Sequence, residues 1–173
     1  MKTKLLIGLV GLGLVAGCGW QMPSSHHYSY WIDPGFTSEQ QIDIYNGINA
    51  WEVATNRTVT FTEVASPNNV PDVLIITPFG MDLARDKTVG WCWRYPGTTN
   101  EAIQLAANVA RESFKVTVQH ELGHAVGLPH DREGTLMYYK VGSSNASHIT
   151  CRDVEVFCTI WACDSSKMPV CQQ

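Results

Sequence analysis

Residues 120–131 read His120-Glu121-Leu122-Gly123-His124-Ala125-Val126-Gly127-Leu128-Pro129-His130-Asp131. Positions four apart on a helix lie one above the other, so a helix through this stretch aims the imidazoles of His120 and His124 at one point. A third donor on the same point needs the chain to turn. Gly127 supplies the turn, because without a Cβ it takes the left-handed conformation that ends a helix. Pro129 completes the break: it disfavours helical angles at Leu128 and has no N–H to donate. His130 then swings back beneath the other two. Asp131 is expected to bond nearby backbone, since a fourth protein ligand would close the site.

Three neutral imidazoles suit Zn2+, and three protein ligands leave the fourth position to water, the arrangement of a catalytic and not a structural site. Glu121 adjoins the first ligand and can reach that water as general base. The donor set therefore predicts one zinc ion held by His120, His124 and His130, and peptide hydrolysis through a zinc-activated water without a covalent intermediate.

Outward from this segment, Phe114, Val118, Leu122, Ala125 and Val126 recur at helical spacing from about Glu112. Upstream, residues 27–32 have the aromatic and β-branched content of a strand, which Asp33-Pro34-Gly35 breaks. Thr37 or Ser38, with Gln41 beyond, caps a helix that runs to Ala54, with Ile42, Tyr45, Ile48 and Trp51 as its apolar stripe. Residues 58–64 alternate as a strand, Ser66-Pro67-Asn68-Asn69 is a turn, and residues 72–76 form a buried strand. Val89-Gly90-Trp91-Cys92-Trp93 and residues 102–106 read as two further short strands. The last helix is expected to begin at Thr150, whose hydroxyl can cap it with Asp153 three residues on.

The chain of 173 residues fits one domain of ordinary size. With 45% hydrophobic and 16% charged residues the bulk of it is not disordered, and a formal charge of −4 offers no basic surface for nucleic acid. Lys2 and Lys4 precede an apolar and glycine run over residues 5–17, too short to cross a bilayer but right for a secretory leader. Past the leader lie Cys92, Cys151, Cys158, Cys163 and Cys171, an odd set that outside the cytoplasm is expected to form disulfides, with one thiol left over or paired elsewhere. Cys151 and Cys158, seven positions apart on one helix, would stand ~10 Å from each other, so each should bond another partner. A redox role for Cys158 and Cys163 is disfavoured, because their spacing is not C-x-x-C.

The long form of the histidine motif resembles that of the metzincin zinc peptidases. Thr135-Leu136-Met137-Tyr138-Tyr139, seven residues after His130 at its methionine, is similar to that family's Met-turn, and residues 59–64 and 72–80 resemble its matrixin branch. The resemblance implies an α+β, metzincin-like zincin fold. Its parts would be a twisted, mostly parallel five-stranded sheet with an antiparallel edge strand, two long helices, and a small C-terminal subdomain with one helix. It implies zinc ligation by His120, His124 and His130, Glu121 as general base and Met137 as the apolar floor of the site. Tyr139 or Tyr138 would stand near the oxyanion, with Tyr139 favoured. The edge strand Val89, Gly90, Trp91, Cys92 and Trp93 would pair with an extended protein or peptide substrate. Matrixins bind further structural ions before the active-site helix, but that stretch lacks the run of His and Asp ligands here, so calcium or a second zinc is not expected.

Val15-Ala16-Gly17-Cys18 resembles the lipobox of bacterial lipoproteins. It implies a leader at residues 1–17, a lipidated tether at 18–26 carrying acyl chains on Cys18, and a peptidase domain at 27–173 divided near residue 127. Membrane attachment would rest on the lipid, and Gly19 resembles the pattern of lipoproteins sent to the outer membrane of the bacterial envelope. A monomer is expected. The rival reading is a metzincin scaffold that binds a partner and does not cut. Glu121 argues against it, since a pure binder needs no carboxylate beside the metal.

Overall fold

The computed structural model describes residues 27–68, 73–80, 88–94, 101–140 and 146–173. The leader, the tether and Cys18 lie outside the described residues, as do Asn69 and Asp72 of the expected turn and strand. In chain order the elements are β1 (His27–Ile32), α1 (Ser38–Ala54), β2 (Thr60–Glu63), β3 (Val73–Phe79), β4 (Gly90–Arg94) and β5 (Glu101–Ala106), then α2 (Arg111–Ala125) and α3 (Cys151–Trp161). Two short 3-10 turns, Ser165–Lys167 and Pro169–Cys171, follow.

The strands form one five-stranded sheet in the order β2-β1-β3-β5-β4. Every pair is parallel except β4 with β5, which run antiparallel with Gly90 opposite Leu105 and Arg94 opposite Glu101. Only residues 95–100 separate those two strands, too few for the crossover a parallel pair needs. The architecture is thus mixed α+β with a mostly parallel sheet, an antiparallel edge strand and, among the described residues, three helices, as the sequence led us to expect. No described helix is long and apolar enough to cross a membrane.

Both long helices belong to one core with the sheet. From α1 it takes Ile44, Ile48, Trp51 and Ala54, from α2 Phe114, Val118 and Leu122, and from the strands Leu74, Ile76, Ile103 and Leu105. Gly47 brings α1 and α2 close, since a Cβ there would lie 2.6 Å from Val118 Cγ1. Trp51 fixes their register by donating from its indole N–H to the Gln119 carbonyl at 2.8 Å.

The expected stripe of α1 needs correction: Ile42 and Tyr45 are 52% and 38% exposed, and the buried face runs through Asp43, Ile44, Gly47, Ile48, Trp51 and Ala54. Asp43 turns inward because Arg111 meets it with two hydrogen bonds of 2.9 and 3.0 Å. A buried carboxylate held by a guanidinium fork is a tolerable burial. Of the two expected caps the structure uses the first, with a different partner. Thr37, not Ser38, is the N-cap, and its reciprocal partner is Gln40 and not Gln41.

The C-terminal part is tied differently. Thr150 caps α3 as expected, in a capping box with Asp153. Disulfides join Cys151 to Cys171 and Cys158 to Cys163, so the two helix cysteines do choose other partners. Cys92 is disulfide-bonded as well. Of the two fates expected for the odd cysteine, the structure takes pairing, as none of the described cysteines is free.

Candidate metal centre

α2 ends where the motif said it would. Gly127 has φ +96°, its N–H reaches the His124 carbonyl at 2.9 Å, and the Leu128 N–H reaches the Gly123 carbonyl at 2.9 Å. That pair of bonds is a Schellman turn, which needs a left-handed residue at Gly127's position. Trp161, at the end of α3, donates to the Val126 carbonyl at 3.0 Å and pins the turn from the other side.

The turn brings His120, His124 and His130 together as a cluster that could hold a metal ion, one ligand atom from each lying within 4.8 Å of the others. His124 Nε2 is 3.1 Å from His120 Nε2 and 3.1 Å from His130 Nε2. The other nitrogens explain this convergence. His120 Nδ1 lies 2.8 Å from the Leu136 carbonyl and His124 Nδ1 lies 2.7 Å from the Leu128 carbonyl. A carbonyl only accepts, so each Nδ1 carries the hydrogen and each Nε2 of a neutral ring presents a bare lone pair. Two lone pairs facing each other repel unless a cation or a proton lies between them. Nitrogen donors of a tetrahedral zinc site are spaced at ~3.3 Å, from Zn–N bonds of about 2.0–2.1 Å. The donor set therefore fits such an ion.

Burial reinforces the neutral state. It pushes His120 down to about 4, against the pull of the Leu136 carbonyl and the Asp153 charge, and His124 down to about 3; His130 is lowered too. Rings that refuse a proton keep their lone pairs for a metal. Glu121, 5% exposed, is pushed up to about 8 by the same desolvation. A divalent cation held by the cluster would oppose that rise.

Glu121 sits against β4. A Cβ on Gly90 would fall 2.7 Å from Glu121 Oε1 and 2.5 Å from Thr117 Cγ2, so this point of the edge strand must be glycine for the carboxylate to lie where it does. Within the expected strand of Val89, Gly90, Trp91, Cys92 and Trp93, the Gly90 face meets α2 and Cys92 is buried. Trp91 points to the other face, by strand alternation, where it is 52% exposed and stacks on Phe79 at 5.8 Å. Trp93 is half-buried. Val89 uses its carbonyl to accept from Ala106, on the β5 side.

Met137 is 1% exposed and in contact through its sulfur with the place a Gly123 Cβ would occupy, one residue before His124. Tyr139 is exposed, with its ring centroid 6.4 Å from that of His130, while Tyr138 packs on Tyr139 at 4.7 Å and bridges Asp131 through backbone. Hydrogen bonds from Lys140 and Tyr138 hold the Tyr139 hydroxyl below the usual phenol range. Asp131 is no part of the cluster, and its carboxylate meets Arg152 Nε at 2.9 Å in place of the expected backbone.

Three contributors escaped the sequence reading. Gly123 opens room for Met137, and a glycine in mid-helix, which costs ~1 kcal/mol against alanine, was the available signal of a close approach. Thr117 packs beside Glu121. Asp153 reaches the Met137 turn, and nothing in its spacing announced a role beyond the cap. No protein-family model matches the chain, and no curated protein does.

Proposed function

We propose that the chain is a zinc-dependent endopeptidase of metzincin type, matrixin-like in its sheet and Met-turn, held to a bacterial envelope by lipid on Cys18. The observation that carries the reading is the convergence of the Nε2 atoms of His120, His124 and His130, with the buried Glu121 next to His120 in the chain. His120, His124 and His130 would hold the ion, which when bound supplies a Lewis acid that lowers the pKa of a water and polarises a carbonyl. Glu121 then takes the water's proton and hands it to the departing amine. The exposed phenol of Tyr139, its ring centroid 6.4 Å from that of His130, would donate to the developing oxyanion. The outer edge of β4 receives an extended peptide backbone, and Gly90 keeps that strand close to Glu121. Attachment and outer-membrane placement rest on the sequence around Cys18.

The test is cleavage of an unstructured protein by residues 19–173, set beside Glu121→Ala and beside chelated protein. We expect activity that chelation abolishes and zinc restores, and that Glu121→Ala lowers by about 10²–10⁴-fold. Activity left undiminished by either change contradicts the mechanism, and a zinc-loaded protein that cuts nothing favours the binding scaffold.

A further inference from the structure

Asp153 has no side-chain exposure to speak of, at 0%, and its two oxygens are shared between two tasks. Oδ2 accepts from the Thr150 N–H at 2.8 Å, which with the Asp153 N–H donating to the Thr150 hydroxyl at 3.3 Å makes the capping box of α3, and it accepts from that hydroxyl at 2.6 Å as well. The same oxygen also accepts from the Leu136 N–H at 3.1 Å, and Oδ1 accepts from the Met137 N–H at 3.1 Å. A cap alone does not need those last two bonds.

The Met137 N–H and the Leu136 carbonyl belong to one peptide group, and that carbonyl accepts the Nδ1 hydrogen of His120 at 2.8 Å. The line therefore runs from the Asp153 carboxylate through one peptide unit to the back of a ligand imidazole. A carboxylate pulling on a peptide N–H shifts electron density onto its carbonyl oxygen, and hydrogen bonds in series strengthen one another. A stronger acceptor behind Nδ1 makes Nε2 the better donor to a metal.

We propose that Asp153 is a positioning residue of the metal centre: it polarises and fixes the Leu136–Met137 peptide, and through it orients His120 and raises its donor strength. The familiar pairing of a carboxylate with a metal-binding histidine is here made across an intervening peptide. α3 thereby takes part in the site from 33 positions further along the chain than His120. The proposal rests on the histidine cluster binding a metal ion.

Zinc affinity of the full domain at residues 19–173, measured by competition with a chelator, tests it, with Co2+ absorption as a second readout. Asp153→Asn removes the charge and keeps one acceptor oxygen. Thr150→Ala removes the cap hydroxyl and leaves the Asp153 bonds to Leu136 and Met137. We expect Asp153→Asn to bind zinc roughly 10- to 100-fold more weakly, in the range usual for losing an outer partner of a ligand, and to change the Co2+ spectrum. Thr150→Ala should match the wild type in both. Equal affinities for Asp153→Asn and wild type, or equal losses in the two variants, overturn the proposal and leave Asp153 as a cap. A wild type that binds no zinc sinks the metal reading itself, which is a separate result. If Asp153→Asn does not fold, the carboxyl-carbon resonance of wild-type Asp153 decides: it should move on zinc addition while that of Glu155 stays, and no movement overturns the proposal.

Discussion

α2 and α3 flank the same site and are stabilised by opposite means. α2 begins at Ala110 with no side-chain cap, and nine of its residues are buried, among them His120, Glu121 and His124. α3 is shorter, buries only Asp153, Val154, Phe157 and Cys158, and has a full capping box and two disulfides. The first is held by what it buries and the second by caps and covalent bonds. The contrast suits their tasks. Groups that would meet a metal ion need a dry, packed frame, whereas a short helix with little apolar surface must be anchored before it can hold the turn that backs His120.

The largest effect should come from the chemistry on α2. Glu121→Ala is expected to lower the hydrolysis rate by about 10²–10⁴-fold, the usual contribution of a positioned base, while metal content stays at the wild-type level. Steady-state kinetics with metal analysis checks both parts. Loss of the metal together with the rate would mean that Glu121 builds the site and does not act in it.

Next comes the frame of α2. Trp51→Ala removes a side chain with 0% exposure and its bond to the Gln119 carbonyl, and should cost ~3–5 kcal/mol in a denaturant titration. For α3 the matching cut is Cys151→Ser with Cys171→Ser. Opening a bond that spans 20 positions should cost about 3 kcal/mol and leave α2 folded. Far-ultraviolet circular dichroism with denaturant separates the two, and if the disulfide pair proved the dearer loss in α2 itself, the contrast would fail.

The smallest and sharpest pair concerns the caps. Thr150→Ala should lower the stability by ~1 kcal/mol, and Ala110→Ser, which supplies α2 with the hydroxyl it lacks, should raise it by less than that. Thermal melts read both. No gain from Ala110→Ser would show that the start of α2 already satisfies its N–H groups by other means.

What the sequence disclosed, it disclosed where cause and effect lie close along the chain. The spacing of His120, His124 and His130, the helix end at Gly127 and the cap at Thr150 each depend on a few neighbouring residues, and each is where local chemistry puts it. The antiparallel edge strand came only from the resemblance, although the short link between β4 and β5 accounts for it. The face of α1 was not, because which side a helix buries is decided by its partners: Gly47 lets α2 approach, and Arg111, 68 positions away, makes Asp43 an inside residue. Disulfide partners were half legible. Seven-residue spacing forbade Cys151 with Cys158, but the choice of Cys163 depends on the chain reversing at Ala162, whose φ of +54° is unusual for alanine. Asp153 gave away its cap and hid its second task, since its bonds to Leu136 and Met137 exist only once α3 has docked.

The account stands on a metal ion among three imidazoles, and zinc stoichiometry of the purified domain measures that most directly. One zinc per chain, retained through dialysis and lost in a His124→Ala variant that remains folded, is the predicted result. A folded wild-type domain that takes up no zinc from a zinc-containing buffer would contradict it.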